Sequence, residues 1–213
     1  MNKKLFLFSF ILILCGCSQY NPHKDFSYED YLNFFEEENK TMGPVDVCAV
    51  GDSLTYHYDF AKYYEDITFA NRGISGDTTT GLLAHLKESI YDVDCKIITL
   101  LIGINNLDTM MNDYEVILSN IKTNKPDIKT FVISLTPTRL DSHPNDLIVQ
   151  RNKEIKILAE DYSFTYIDLH SQLIDSSGQL YKKYSLDGLH FSNAGYKAIT
   201  SYIKPILKEA LSN

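Results

Sequence analysis

The chain has 213 residues, 44% of them hydrophobic, with 28 acidic against 20 basic side chains and a formal net charge of −8. That length can bury a sizeable core and favours one domain. The acidic balance argues against nucleic acid and strongly anionic polymers as partners, because phosphate binding needs basic surface.

The first sixteen residues read as an export signal. Met1-Asn2-Lys3-Lys4 is a positive start, and Leu5 to Leu14 is apolar except for Ser9. Ten residues are too few to span a bilayer, which takes about 20, but they suit a secretory signal followed by a small residue at the cut. Leu14-Cys15-Gly16-Cys17 resembles a bacterial lipobox, in which cleavage precedes a cysteine that becomes lipid-modified, so that Cys17 would be the first residue of the mature chain. Cys17 would then anchor the protein to a membrane of the cell envelope, stably if it carries two or more acyl chains; plain secretion with Cys17 a spectator is the alternative. Loss of residues 1–16 removes Lys3 and Lys4 and takes the charge from −8 to −10.

Residues 17–43 are expected to form a tether, including Pro22, followed by a short amphipathic helix over 26–40 that packs on the domain or lies near the site. From residue 44 to the end, strands and helices alternate as in a parallel sheet with crossover helices. Val45 to Gly51 is a first strand, stopping at Gly51-Asp52-Ser53, where the glycine is expected to allow a sharp turn. Beyond it, 56–66 is aromatic and predicts a loop and short helix. Ile67 to Ala70 is a second strand, and Asp77, Thr78 and Thr79 open a helix running through Leu82, Leu83, Leu86 and Ile90, with His85 on it as a structural residue. Lys96 to Ile102 is a third strand, apolar enough to be covered on both faces.

A helix over 113–122, a strand over 130–135, a helix over 147–162 and a fifth strand over 164–169 follow, and 192–211 closes the fold as a helix containing Gly195 and Pro205. The longest loop on the expected catalytic edge is 136–145; its Arg139 and His143 are read as surface residues, with substrate contact the alternative. Cys48 and Cys95 are the cysteines left in the domain. Counted from Gly51 and Gly103 as strand ends, they are offset by about five residues, or roughly 16 Å at strand rise, too far for a disulfide.

Four short blocks carry the chemistry. A serine needs a base to take its proton, and the base needs a partner to fix its tautomer. Ser53 stands just past a strand end, where open α/β folds keep their sites. Asp187-Gly188-Leu189-His190 places a carboxylate and an imidazole on one tight turn. Either block alone is ordinary turn chemistry. Between them lie Asn71-Arg72-Gly73-Ile74-Ser75-Gly76-Asp77-Thr78-Thr79 and Leu101-Ile102-Gly103-Ile104-Asn105-Asn106. His57, four residues after Ser53, is the runner-up base.

Together the four blocks resemble those of the SGNH, or GDSL-type, esterases and acylhydrolases, from about Val45 to about Ile203. The resemblance implies a three-layer α/β/α fold on a flavodoxin-like, five-stranded parallel sheet. It also implies roles: Ser53 as nucleophile, His190 as base, Asp187 as its orienter, and the amides of Ser53, Gly76 and the Asn105 side chain as the oxyanion hole. Neither metal nor other cofactor is expected, since Asp187 and His190 lack a third ligand. The family's third block usually ends in Asp, whereas this chain has Asn106, so Asn105 would be held differently. The implied activity is hydrolysis of small acyl esters, acetyl foremost, on a carbohydrate. A lysophospholipase or thioesterase, favoured if the 56–64 aromatics line an acyl channel, and a non-catalytic surface binding protein are the alternatives. Oligomeric state is not legible.

Overall fold

Val45–Gly51 (β1) is apolar at almost every position because both of its faces are covered. Val47 joins Ile97, Leu101, Phe131 and Ile133 on one side of the sheet, while Cys48 and Val50 join Ile98, Leu100 and Val132 on the other. Alternation across a strand thus feeds two separate cores. The structure, a computed structural model, describes residues 26–213. The expected export signal, the expected tether and Cys17 lie outside the described residues.

Five parallel strands form the sheet: β1, β2 (Phe69–Gly73), β3 (Cys95–Leu101), β4 (Lys129–Ile133) and β5 (Thr165–Ile167), in the spatial order β2-β1-β3-β4-β5. That is the flavodoxin-like order, with its switch point between β1 and β3. Helices α4 (Thr79–Ala84), α5 (Met111–Asn124) and α6 (Asn145–Asp161) send Leu82, Ile117, Leu118, Ile121, Ile148 and Ile155 into the Cys48 side. On the other side α8 (Asn193–Ser212) buries Tyr196, Ile199, Ile203 and Leu207, at the three- and four-residue spacing of a helix face. Short helices α2 (Ser53–Tyr56), α3 (Phe60–Tyr63) and α7 (His170–Leu173) complete that side.

Helix α1 (Tyr28–Thr41) starts on a full capping box, in which Ser27 and Asp30 satisfy each other's amides. It buries Tyr31 and Phe35 against Ile74, the residue that leads out of β2. Its last turns close over Arg72, whose side chain is wholly buried. The guanidinium donates to Glu38 Oε2 and, at 2.7 Å, to Asn39 Oδ1, and lies 4.7 Å from the centre of the Phe35 ring. None of this was anticipated for Arg72.

Several expectations need correction. The second strand runs from Phe69 to Gly73, so Asn71 and Arg72 belong to the sheet and not to the following loop. The helix expected to continue to Ile90 stops at Ala84 and is followed by a π-helical turn at Lys87–Tyr91. The fifth strand is only three residues long. β3 ends at Leu101, opposite Gly51 and two residues short of Gly103, so Cys95 pairs with Val45 and Cys48 with Ile98. The cysteine offset is therefore three residues, about 10 Å along the strand, and both cysteines are free. The Cys48 thiol, held well above its ordinary range by the neighbouring Cys95 thiol and by burial, donates to Ser89 O at 2.9 Å.

Candidate active site

The loops that leave β1, β2 and β3 converge at the carboxyl edge of the sheet, and the turn before α8 folds over them. Gly51 ends β1 with an ordinary φ, so the sharp-turn reason expected for it is wrong. Close approach is the reason instead: a Cβ there would lie 2.3 Å from both Leu101 O and Thr55 Oγ1. Asp52 follows and caps α2, its Oδ1 accepting the Leu54 amide at 3.0 Å. Ser53 is then the first residue of α2, 3% exposed, with its main-chain N–H among those that the helix's own ladder leaves open.

The turn that carries Asp187 and His190 builds itself from local bonds. Ser185 pairs with Phe191 in an antiparallel bridge, Ser185 Oγ donates to His190 O at 2.8 Å, and Gly188 N–H donates to Ser185 Oγ at 2.8 Å. Asp187 Oδ1 accepts the amides of Leu189 and His190 at 2.9 and 2.8 Å, an arrangement that a short acidic side chain makes readily. Its other oxygen faces His190 Nδ1 at 2.7 Å, and His190 Nε2 faces Ser53 Oγ at 3.0 Å. Burial pushes the Asp187 carboxyl up, but its bonds to His190 and to the two amides outweigh this and bring it down to about 2. An ionised carboxylate on Nδ1 fixes the neutral imidazole with its proton there, leaving Nε2 as an acceptor for the serine hydroxyl.

Gly76 has φ +79, the left-handed region where a side chain is strained, and is exposed at the tip of its loop. The loop is tied to β1 by Ile74 N–H donating to Gly51 O at 3.0 Å. Asn105 Nδ2 donates to Asp77 O at 2.8 Å, which joins the third block to the second. Asn106 has a separate task. Its Oδ1 accepts the Thr79 amide at 3.3 Å and its Nδ2 donates to Thr79 Oγ1 at 2.9 Å, so it pins the start of α4 with one acceptor and one donor. A carboxylate here could accept both bonds by turning the Thr79 hydroxyl round, so Asn106 leaves the support of the loop intact.

His57 does not bond the serine hydroxyl; its ring packs edge-on against that of His190, with centres 5.7 Å apart. Burial, then the neighbouring His190, lower its pKa. Arg139 is a fastener: it donates to Asp175, to Gln179 Oε1 at 2.9 Å and to Leu180 O at 2.6 Å, while its amide holds Gly188 O at 2.8 Å. His143 is bonded to the neighbouring Ser142 at 2.8 Å. Among the described residues there is no group of three or more side chains suited to hold a metal ion.

Residues 49–198 match the model of the GDSL-like lipase/acylhydrolase family. The chain belongs to that family. A curated relative, the N-acylneuraminate cytidylyltransferase of Escherichia coli O18:K1:H7, is 27% identical over 202 residues, covering 88% of this chain and 46% of its own length. The chain thus spans about half the length of that relative. Among solved structures, a Streptococcus pneumoniae protein described provisionally as a platelet activating factor is 27% identical with a TM-score of 0.79, over 84% of this chain and 92% of that one. Axe2, an acetylxylan esterase from Geobacillus stearothermophilus, shares the fold at 17% identity and a TM-score of 0.62, over 76% and 94% of the two chains. A GDSL-like lipase from Bacteroides thetaiotaomicron does so at 19% and 0.74, over 86% and 100%.

Proposed function

We propose that this acylhydrolase-family protein is a serine esterase that removes small acyl groups, acetyl foremost, from a carbohydrate. The observation that carries the reading is the unbroken chain from Asp187 Oδ2 through the imidazole of His190 to Ser53 Oγ, at 2.7 and 3.0 Å. Ser53 Oγ attacks the ester carbonyl carbon while His190 Nε2 takes the hydroxyl proton. The tetrahedral oxyanion is met by the amides of Ser53 and Gly76 and by the Asn105 side chain. His190 returns the proton to the departing alkoxide, and an alcohol leaves. Water then attacks the acyl-serine with His190 again as base, releasing the acid and restoring the serine.

A small acyl group is supported by what the 56–64 aromatics do. Tyr58 stacks on Phe60 with ring centres 4.4 Å apart and Phe60 on Phe69 at 4.2 Å, with Tyr58 in the core under α8 and the two half-buried phenylalanines packed against it. The cavity among them is about 40 Å³, room for roughly two or three water molecules and not for a long acyl chain. A carbohydrate is supported by the sugar acid in the name of the curated relative. Rates on para-nitrophenyl esters test the reading. Acetyl to butyryl esters should be preferred; a preference for decanoyl or longer would move it to a lysophospholipase or thioesterase.

Replacing Ser53 by alanine should lower the rate by about 10⁴ to 10⁶ and abolish labelling by a fluorophosphonate. Labelling absent from the wild type, or unchanged by the substitution, would make the protein a binding module on an esterase scaffold. Export and anchoring through Cys17 rest on the sequence of residues 1–17; palmitate incorporation that disappears in Cys17→Ala is the expected result, and unlabelled soluble protein the contrary one.

A further inference from the structure

Behind the loop of Gly76 lies a second Asp–His–Ser chain that the proposed reaction does not use. Asp77 Oδ2 faces His85 Nε2 at 2.8 Å, and His85 Nδ1 faces Ser89 Oγ at 2.7 Å. His85 and Ser89 are wholly buried and Asp77 is 5% exposed. No ester can reach that serine, so the chain is not a second catalytic centre.

We infer that His85 is a positioning residue for the oxyanion hole, holding Asp77 so that the donors of Gly76 and Asn105 are aimed at the reacting carbonyl. The inference rests on the esterase reading above.

Both donors are referenced to residue 77. Asn105 Nδ2 donates to Asp77 O at 2.8 Å; a primary amide carries two N–H groups, and fixing one fixes the direction of the other. Asp77 N–H donates to Ile74 O at 3.1 Å, closing the four-residue turn whose second residue is Ser75 and whose third, at the tip, is Gly76. That tip is exposed and has a glycine backbone, so its restraint comes from the Asp77 side chain, which points inward. There Oδ1 accepts the Thr78 amide at 2.9 Å and Oδ2 is held by His85.

The surroundings are shaped for that carboxylate. A Cβ on Gly81 would lie 2.0 Å from Asp77 Oδ1, so the bare glycine keeps its place open. Tyr28 of α1 donates to Gly81 O at 3.0 Å and lays its ring edge-on to His85 with centres 5.8 Å apart. With Asp77 ionised, His85 carries its proton on Nε2 and the Ser89 hydroxyl donates to Nδ1. A buried carboxylate stripped of its donor is costly, and turning outward with its backbone is a relief open to Asp77 because the loop tip beside it is exposed. A displacement of about 1 Å at a reacting centre is enough to cost on the order of 10² in rate.

The test is steady-state hydrolysis of para-nitrophenyl acetate, with the melting temperature of each variant. Wild type is compared with His85→Leu, His85→Gln, Ser89→Ala, Asn105→Ala and the Asn105→Ala/His85→Leu pair. His85→Leu should lower kcat by about 10- to 100-fold with KM nearly unchanged, because the contact matters only in the transition state. His85→Gln, which keeps an N–H where Nε2 was, should recover most of the loss. In the Asn105→Ala background His85→Leu should cost clearly less than in the wild type, what is left being its effect through Gly76. If His85→Leu does not fold, the same non-additivity is sought with His85→Gln and Ser89→Ala, whose own losses should be several-fold. An unchanged kcat in folded His85 variants, or losses that simply multiply with that of Asn105→Ala, overturns the inference and leaves the esterase standing. A wild type that neither hydrolyses esters nor takes a fluorophosphonate on Ser53 overturns both.

Discussion

Asp52 sits beside the proposed nucleophile with no exposure, one oxygen capping Leu54 and the other, Oδ2, without a hydrogen-bond partner. Burial, and then the charge of Asp77, push its carboxyl up to about 7. A group raised in the folded state above its unfolded value stabilises relatively below the unfolded pKa and loses that as pH rises to the folded one. Stability should therefore fall between about pH 4 and pH 7, by an amount on the order of 4 kcal/mol at most. Thermal melts of the wild type should drop across that range, and Asp52→Asn should flatten the dependence; an equal drop in both would remove Asp52 as its source. Asn105 and Asn106 divide by their bonds: Asn105→Ala should cost about 10² to 10³ in kcat, whereas Asn106→Asp should leave kcat within a few-fold, as steady-state rates on the same ester will tell. The roles proposed for Ser53, Asp187 and His190 could be read from the sequence because each lies in a short block whose local turn makes the geometry. Asp52, Arg72 and His85 were not, since what they do depends on which distant residues bury them.

At the scale of elements, α1 is the instructive one. It precedes the family match, which begins at residue 49, yet it covers the loop leading to Gly76. Phe35 is 2% exposed and carries the Arg72 guanidinium over its ring. Phe35→Ala should cost about 3 kcal/mol or more, read as a lower denaturation midpoint, and kcat should fall with it because Ile74 loses its cover. An α1 that is a passive tether would instead show a normal midpoint in a chain beginning near residue 44. Amphipathic spacing located this helix, but the partner of its apolar face is set by Tyr31, Phe35 and Ile74 meeting across the fold. Register escaped the sequence for a similar reason. Gly103, taken as the end of a strand, lies beyond β3 in a turn with φ +121, and only the pairing of Gly51 with Leu101 reveals the true end.

For the whole molecule, the order β2-β1-β3-β4-β5 puts the loops of Ser53, Gly76 and Asn105 side by side, and the chain must return through α6, β5 and α7 before the turn of His190 closes on them. Asp187, lowered to about 2, gives support that is present above its unfolded pKa and is lost as pH falls from about 4 towards 2. A loss of stability in that window, reversible on returning to neutral pH and absent from Asp187→Asn, is the outcome that thermal melts should show, and Asp187→Asn should be poorly active at every pH.

The sequence by itself determined the alternating α/β architecture, since periodicity is a local property, and the proposed catalytic residues, since their chemistry demands particular side chains on short turns. Tertiary structure alone decided strand register, the burial of Arg72 and Asp52, and the pairing of Asp77 with His85. These depend on which segments meet across the sheet, where desolvation and long-range packing outweigh any preference written in neighbouring residues.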